Sequence, residues 1–305
     1  MFFAGIDIGG TTVKSTIMNE YGRIVYQNTI GSVKGDPCLL ADHIAGSLSG
    51  FRSPIAAAGL SCAGQVNRET RLVNAGNLKW RDVPFMDIME QALRCPVDAD
   101  NDVAGALYAE SQVGVCVGER YVAYISLGTG IGGAFLIDGR PYRGWDNTGA
   151  EVGHMITHAG GLPCSCGGRG CFEQYACSSA LTKRAGVPVR EVFRQVRAGV
   201  PEMIDILDDY VHELCIGLAG IVNVFRPRMV VLGGGIGSAG EVLLSRVRYE
   251  MTHNCPSIPE GPMPVFVSAS LGNLAGSVGG CFLAAEIMGV QIQVEDIGAL
   301  LRARN

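Results

Sequence analysis

Three cysteines within eight residues, Cys164-x-Cys166-x4-Cys171, lie in a segment rich in glycine (Gly167, Gly168, Gly170). Thiolates this close on a pliant loop can fold around one tetrahedral zinc ion. A fourth ligand is required, and the nearest donors are His154 and His158 upstream and Cys177 downstream. A disulfide within the cluster is the competing account, and a reducing cytoplasm disfavours it. Three thiolates and an imidazole would close the coordination shell, so the metal would be structural.

Glycine loops supply a second chemical signal. Asp7-Ile-Gly-Gly-Thr-Thr12 ends an apolar run with an acid, two glycines and two hydroxyls. Glycine lets backbone N–H groups approach a phosphate closely, and threonine adds a donor. The Asp7 carboxylate can organise Mg2+ through water. A plain hairpin turn is the competing account of this motif alone. The second loop, Gly128-Thr-Gly-Ile-Gly-Gly133, satisfies GxGxxG. A dinucleotide site would need a helix starting in the loop and an acid about 20 residues later. Ala134 to Ile137 and an Asp138-Gly139 turn follow instead, which is a hairpin, so that reading fails. Gly233 to Gly237 follows another apolar run; it is either a floor for adenine or ribose or a tight strand–helix turn.

These loops need elements to hold them. Residues 2–30 read strand, glycine turn, strand, turn, strand, and residues 121–144 repeat that unit about 120 residues later. Helical patterns span 39–51, 85–93, 103–113, 203–225 and 274–288, and another helix runs to about Asn254. In the fourth, Leu207, Tyr210, Val211, Leu214, Leu218, Ile221, Val222 and Phe225 fall at three- and four-residue steps, with Pro227 just past the end. Strands are expected at 55–61, 96–99, 229–232 and 265–267. Alternating strands and helices imply an α/β protein. The duplication predicts two similar lobes with a cleft between them, divided near 114–120, whose glycine hairpins clamp a nucleoside triphosphate from both sides.

Composition narrows the function. The chain has 305 residues, 48% hydrophobic and 17% charged, enough for a large core and about two domains. Net charge is −5 with no run of five like charges, so nucleic acid is not an expected partner. No apolar stretch reaches the ~18 residues of a membrane span. The start, MFFAGIDIGG, lacks a basic region and carries Asp7, so no signal peptide is expected and the cytoplasm is the expected location. Of eleven cysteines, seven stand singly in apolar surroundings (Cys38, Cys62, Cys95, Cys116, Cys215, Cys255, Cys281) and are expected to be buried small hydrophobes.

In this order, the motifs resemble those of ROK-family sugar kinases, which have a two-lobed, actin-like, ribonuclease H-like ATPase fold with duplicated βββαβαβα-type lobes. The resemblance covers nearly the whole chain. DIGGTT is similar to the family's first phosphate loop, LGTGIGG to its second, and VVLGGGI to its adenosine segment. Gly149-Ala-Glu-Val-Gly-His154 resembles the GE-x-GH sugar motif, and Cys164 to Glu173 the CxCGxxGCxE signature.

The resemblance implies a kinase of the glucokinase type that takes ATP, Mg2+ and a sugar, holds a structural zinc and forms a homodimer. Residues 1–117 would form the small lobe, completed by a helix at about 289–305. Residues 118–288 would form the large lobe, with the zinc loop at 154–171. Nucleotide phosphates would fall to Asp7, Gly9, Gly10, Thr11, Thr12, Lys14, Gly128, Thr129, Gly130, Gly132 and Gly133, and the adenosine segment to Gly234 and Gly235. Asp102 falls where the family has its catalytic base. Asn77, Asn101, Glu151 and Glu173 fall where it grips sugar hydroxyls. His154 matches the residue that faces the sugar and ligates zinc beside Cys164, Cys166 and Cys171, which decides against His158.

The chemistry agrees with that assignment. A sugar hydroxyl is a poor nucleophile until its proton is accepted, and a positioned carboxylate contributes about 10²–10⁴-fold. Phosphoryl transfer in line then needs its oxygens stabilised by cations and amides. A helix N-cap is the competing account of Asp102. Three positions depart from the family pattern: Ala104 stands for an asparagine, Ala63-Gly64 for Pro-Gly, and Cys177 for a serine. None removes a catalytic group, but Ala104 leaves glucose as sole substrate in doubt, with N-acetylmannosamine or N-acetylglucosamine the alternative. A sugar-responsive repressor of the same family would carry a helix-turn-helix ahead of the first strand, which is expected here at residue 2. An actin-like ATPase switch would leave the zinc loop and its acids unexplained.

Overall fold

The structure, a computed structural model, describes residues 1–255 and 261–294. It divides into two compact units: Met1–Val117, Arg143–Gly149 and Ser270–Asn305 make the first, Gly118–Tyr142 and Ala150–Ala269 the second.

In the first unit, β1 (Phe2–Ile8), β2 (Thr12–Asn19) and β3 (Ile24–Gly31) form an antiparallel meander. α1 (Pro37–Leu48) starts at Asp36, whose carboxylate accepts from the Leu39 N–H at 2.9 Å, with proline at the first helical position. β4 (Ala57–Cys62) returns parallel to β1. A small antiparallel sheet follows, β5 (Gln65–Asn67), β6 (Leu72–Ala75) and β7 (Trp80–Val83). No sequence expectation marked it, because strands this short hold too few residues to show alternation. α2 (Phe85–Leu93) leads to β8 (Val97–Asn101), parallel to β4, and then to α3 (Asp102–Val113). The main sheet runs β3-β2-β1-β4-β8.

The second unit repeats the plan. β9 (Val122–Leu127), β10 (Ile131–Ile137) and β11 (Arg140–Tyr142) form its meander. Short helices α4 (Glu173–Ala176), α5 (Ser178–Ala185) and α6 (Val189–Arg197) precede α7 (Pro201–Phe225). Then come β12 (Met229–Gly233), α8 (Gly234–Gly237), α9 (Glu241–His253) and β13 (Val265–Ser268). The order β11-β10-β9-β12-β13 matches that of the first sheet, with β9, β12 and β13 parallel. Helices α5 and α6 had no sequence expectation.

The last helix, α10 (Ala275–Ile287), packs in the first unit rather than the second, so the expected boundary at 288 shifts to 269/270. The cause is small residues. A methyl on Gly5 would stand 1.7 Å from the Ser277 carbonyl, and one on Gly59 2.1 Å from the Gly280 carbonyl, so α10 lies almost backbone to backbone on β1 and β4. Of the closing helix expected at about 289–305, residues 289–294 are not helical and the rest lie outside the described residues.

None of the eleven cysteines forms a disulfide. Five of the seven isolated ones are buried as expected, but Cys38 is exposed on the first turn of α1 and Cys255 is half-buried. Among the described residues no helix is long and apolar enough to cross a membrane.

Candidate active site and metal cluster

In the first unit the parallel ladder aligns Ile8 with Cys62 and Cys62 with Asn101, so the ends of β1, β4 and β8 finish level. Ligands of open α/β sheets gather at such carboxyl ends. Asp7 stands there, and burial pushes its carboxyl above the ordinary value while Lys14 on β2 pulls it back. Gly276 of α10 leaves it room: a methyl there would meet the Asp7 Cγ at 2.7 Å. Gly9 donates to the Thr12 carbonyl at 3.0 Å, and the Ser32 hydroxyl donates to the Gly9 carbonyl at 2.5 Å, which closes the first glycine turn. Thr11 and Thr12 are exposed at its tip. Asn77, on a 3-10 turn, lies over this loop, 3.1 Å from where a Gly10 Cβ would be.

Asn101, rather than Asp102, caps α3. Its Oδ1 accepts from the Val103 N–H at 2.9 Å and its Nδ2 donates to the Gly64 carbonyl at 2.8 Å. Asp102 is the first helical residue, and its Oδ1 accepts from the same N–H at 3.0 Å. The cap account therefore passes to its neighbour. Cys62, fully buried, is pushed up by burial and then by the charges of Asp102, Asp7 and Asp100. Sequence reading did not mark Asp100, whose Oδ2 accepts from Arg143 Nε at 2.8 Å.

In the second unit, Gly128 and Thr129 of the second loop and Gly235 of α8 line one cavity of about 540 Å³, with Ser178, Arg190, Phe193 and Arg197. The helix α6 side of that wall was missed. Arg190 and Arg197 are spaced i, i+7, which puts both on one helix face and is the signal that marks them. Gly132 and Gly133 lie in β10, and Gly234 turns into α8 with φ +74, so none of them is among the residues that line the cavity. Gly133 is closely packed: a methyl there would meet Val152 at 2.6 Å and the Ala150 carbonyl at 3.1 Å. Glu151 beside them is exposed.

The metal expectation has a definite geometry. His154, Cys164, Cys166 and Cys171 bring their ligand atoms within 4.8 Å of one another. Cys166 Sγ and Cys171 Sγ are 3.6 Å apart, and Cys164 Sγ and His154 Nδ1 3.7 Å. Zinc–sulfur bonds of ~2.3 Å make tetrahedral edges of about 3.8 Å, so the donor set fits. Burial pushes the Cys171 thiol up to about 12, while the Gly168 N–H holds Cys166 below its usual range. His158 is engaged elsewhere, stacked on Tyr175 at 3.9 Å and 3.4 Å from Glu213. Cys177 is buried in the core. Glu173 joins cluster and loop: the Cys164 thiol donates to its Oε1 at 3.3 Å, and its Oε2 lies 2.8 Å from where a Gly130 Cβ would be.

The ROK family model matches residues 3–287. The chain belongs to the ROK family. A glucokinase of Streptomyces coelicolor is 31% identical over 308 residues, covering 92% of this chain and 97% of that protein. Among solved structures, a ROK family glucokinase from Streptomyces griseus in complex with glucose and AMPPNP superposes with a TM-score of 0.83 at 29% identity, covering 94% of this chain and all of that one. A ROK hexokinase from Thermus thermophilus gives 0.79 at 29% identity, covering 95% of this chain and 99% of that one. This ROK protein is thus a sugar kinase with the two-lobed actin-like ATPase fold, and it binds ATP.

Proposed function

We propose that this ROK-family kinase moves the γ-phosphoryl group of ATP to a hexose hydroxyl, glucose foremost, with Asp102 as general base. The observation that carries the reading is the level finish of β1, β4 and β8. It brings the phosphate-loop acid Asp7 and the acceptor-side acid Asp102 to the same carboxyl end of one sheet. Asp102 accepts the proton of the attacking hydroxyl, and Asn101, fixed at both ends of its amide, holds the turn that aims it. Within the second unit, Glu151, His154 and Glu173 offer the acceptors and donors that ring hydroxyls need, and Asn77 offers an amide of the same kind within the first.

The glycine loops take the phosphates through backbone N–H groups, and the cavity beside Gly128 and Gly235 takes the nucleoside. Asp7, with the Thr11 and Thr12 hydroxyls nearby, is a donor set suited to Mg2+ that keeps several of its waters, and the ion would supply charge neutralisation on the triphosphate. The Cys and His residues would hold zinc, whose part is to fix the loop bearing His154 and Glu173. A coupled ADP-release assay over glucose, mannose, galactose and the N-acetylhexosamines tests the reading. The highest kcat/KM is expected for glucose. A preference for an N-acetylhexosamine overturns glucose alone, and no sugar-dependent ADP release overturns the whole reading.

A further inference from the structure

We propose that Arg143 is a positioning residue for Asp102, acting through Asp100, and this rests on the reading of Asp102 as base. Arg143 Nε donates to Asp100 Oδ2 at 2.8 Å. The other oxygen of Asp100 accepts from the Asn101 N–H at 2.9 Å, so one carboxylate ties the guanidinium to the turn that carries Asn101 and Asp102. Asp100 is 6% exposed and Arg143 is half-buried, so solvent screens the pair far less than a surface ion pair. Arg143 opens the segment Arg143–Gly149, which the second unit's β11 hands to the first unit before the chain reaches Glu151. Asn147 of that segment donates to the Val66 carbonyl at 2.8 Å, giving it a second anchor.

The charges in this neighbourhood come from several elements. Asp7 on β1 is opposed by Lys14 on β2. Cys62 on β4 is kept neutral by burial and by Asp102, Asp7 and Asp100. Arg68 pairs with Asp98 and also feels Asp100 and Glu286, while Tyr108 on α3 feels Glu286, Arg143 and Arg68. Arg143 is the cation that hydrogen-bonds Asp100. Without it, a buried negative charge stands two residues from the base and disfavours the base's own charged form.

The test is the pH profile of kcat/KM with ATP and the hexose used fastest in the panel above. R143Q is expected to move the acid limb up by roughly 0.5–1 pH unit, since a like charge left uncompensated raises a carboxylate's titration. R143K is expected to bring it back most of the way. D100N removes the charge itself and is expected to move the limb down, opposite in sign to R143Q, which a merely loosened structure would not do. R68Q, which breaks the neighbouring pair with Asp98 and reaches Asp100 only through its charge, is expected to move the limb clearly less than R143Q does. If R143Q does not fold, D100N and R143K still decide: an unmoved limb in D100N overturns the proposal. A limb unmoved in R143Q, or moved alike by R143Q and R68Q, overturns it as well. Near-normal turnover of Asp102→Asn would instead overturn the base reading beneath it.

Discussion

The two five-stranded sheets share one strand order and hold their functional groups by different means. In the first unit, glycines on β1, β4 and α10 bring backbone against backbone, and the same helix places Gly276 against Asp7. In the second, β9 presents Ala123, Ile125 and Leu127 to a cluster that includes Leu214, Leu218, Ile221 and Val222 of α7, so ordinary side-chain interdigitation holds the sheet. Its candidate groups sit on the loops around Glu151 and Cys164, where His154 and three cysteines bring their ligand atoms within 4.8 Å of one another, a donor set that would order the loop if it held zinc. The difference teaches that a duplicated fold can fix an acid by close packing in one copy and, if the proposed zinc is bound, by coordination in the other.

The largest effect that sharpens this contrast is on rate. Asp102→Asn keeps the oxygen that accepts from the Val103 N–H and changes only proton acceptance. Turnover should fall at least about a hundredfold while sugar binding, measured by calorimetry, and the melting temperature stay near those of the parent. A parallel fall in melting temperature would show that Asp102 holds α3 together rather than the reaction.

Next in size is Cys166→Ser. It removes one donor of the four and should lower bound metal, measured by mass spectrometry of metal content, together with a drop of several degrees in melting temperature. Full stability in a protein free of zinc would break the comparison, since the second unit would then need no coordination to order its loop.

Much of this was legible in residue order, and what was not has physical reasons. The periodic helix at 203–225 appears as Pro201–Phe225, and the 85–93 pattern as Phe85–Leu93, because long amphipathic stripes and their proline boundaries are local signals. The choice of His154 over His158 followed from the family pattern; only the fold shows why, in the stack of His158 on Tyr175. Asp100 carried no sequence expectation, because its partner Arg143 lies 43 residues on and no local signal links the two. The placement of α10 in the first unit was also hidden, because Gly5 and Gly59 read as mere weak spots in strands unless a helix is known to lie on them.

The smallest predicted effects are the most pointed, because they use one chemical change in both units. Gly59→Ala adds a methyl 2.1 Å from the Gly280 carbonyl, which is backbone and cannot rotate away. Overpacking of that kind costs about 1–3 kcal/mol. Gly220→Ala adds the same methyl inside α7, where nothing lies within 4 Å and the backbone is already helical. There alanine should stabilise by roughly 0.5–1 kcal/mol, through higher helix propensity. Urea unfolding of both variants measures the two signs. If Gly59→Ala were neutral, α10 would have to sit further from the sheet than its glycines allow, and the account of how the first unit fixes Asp7 would fail with it.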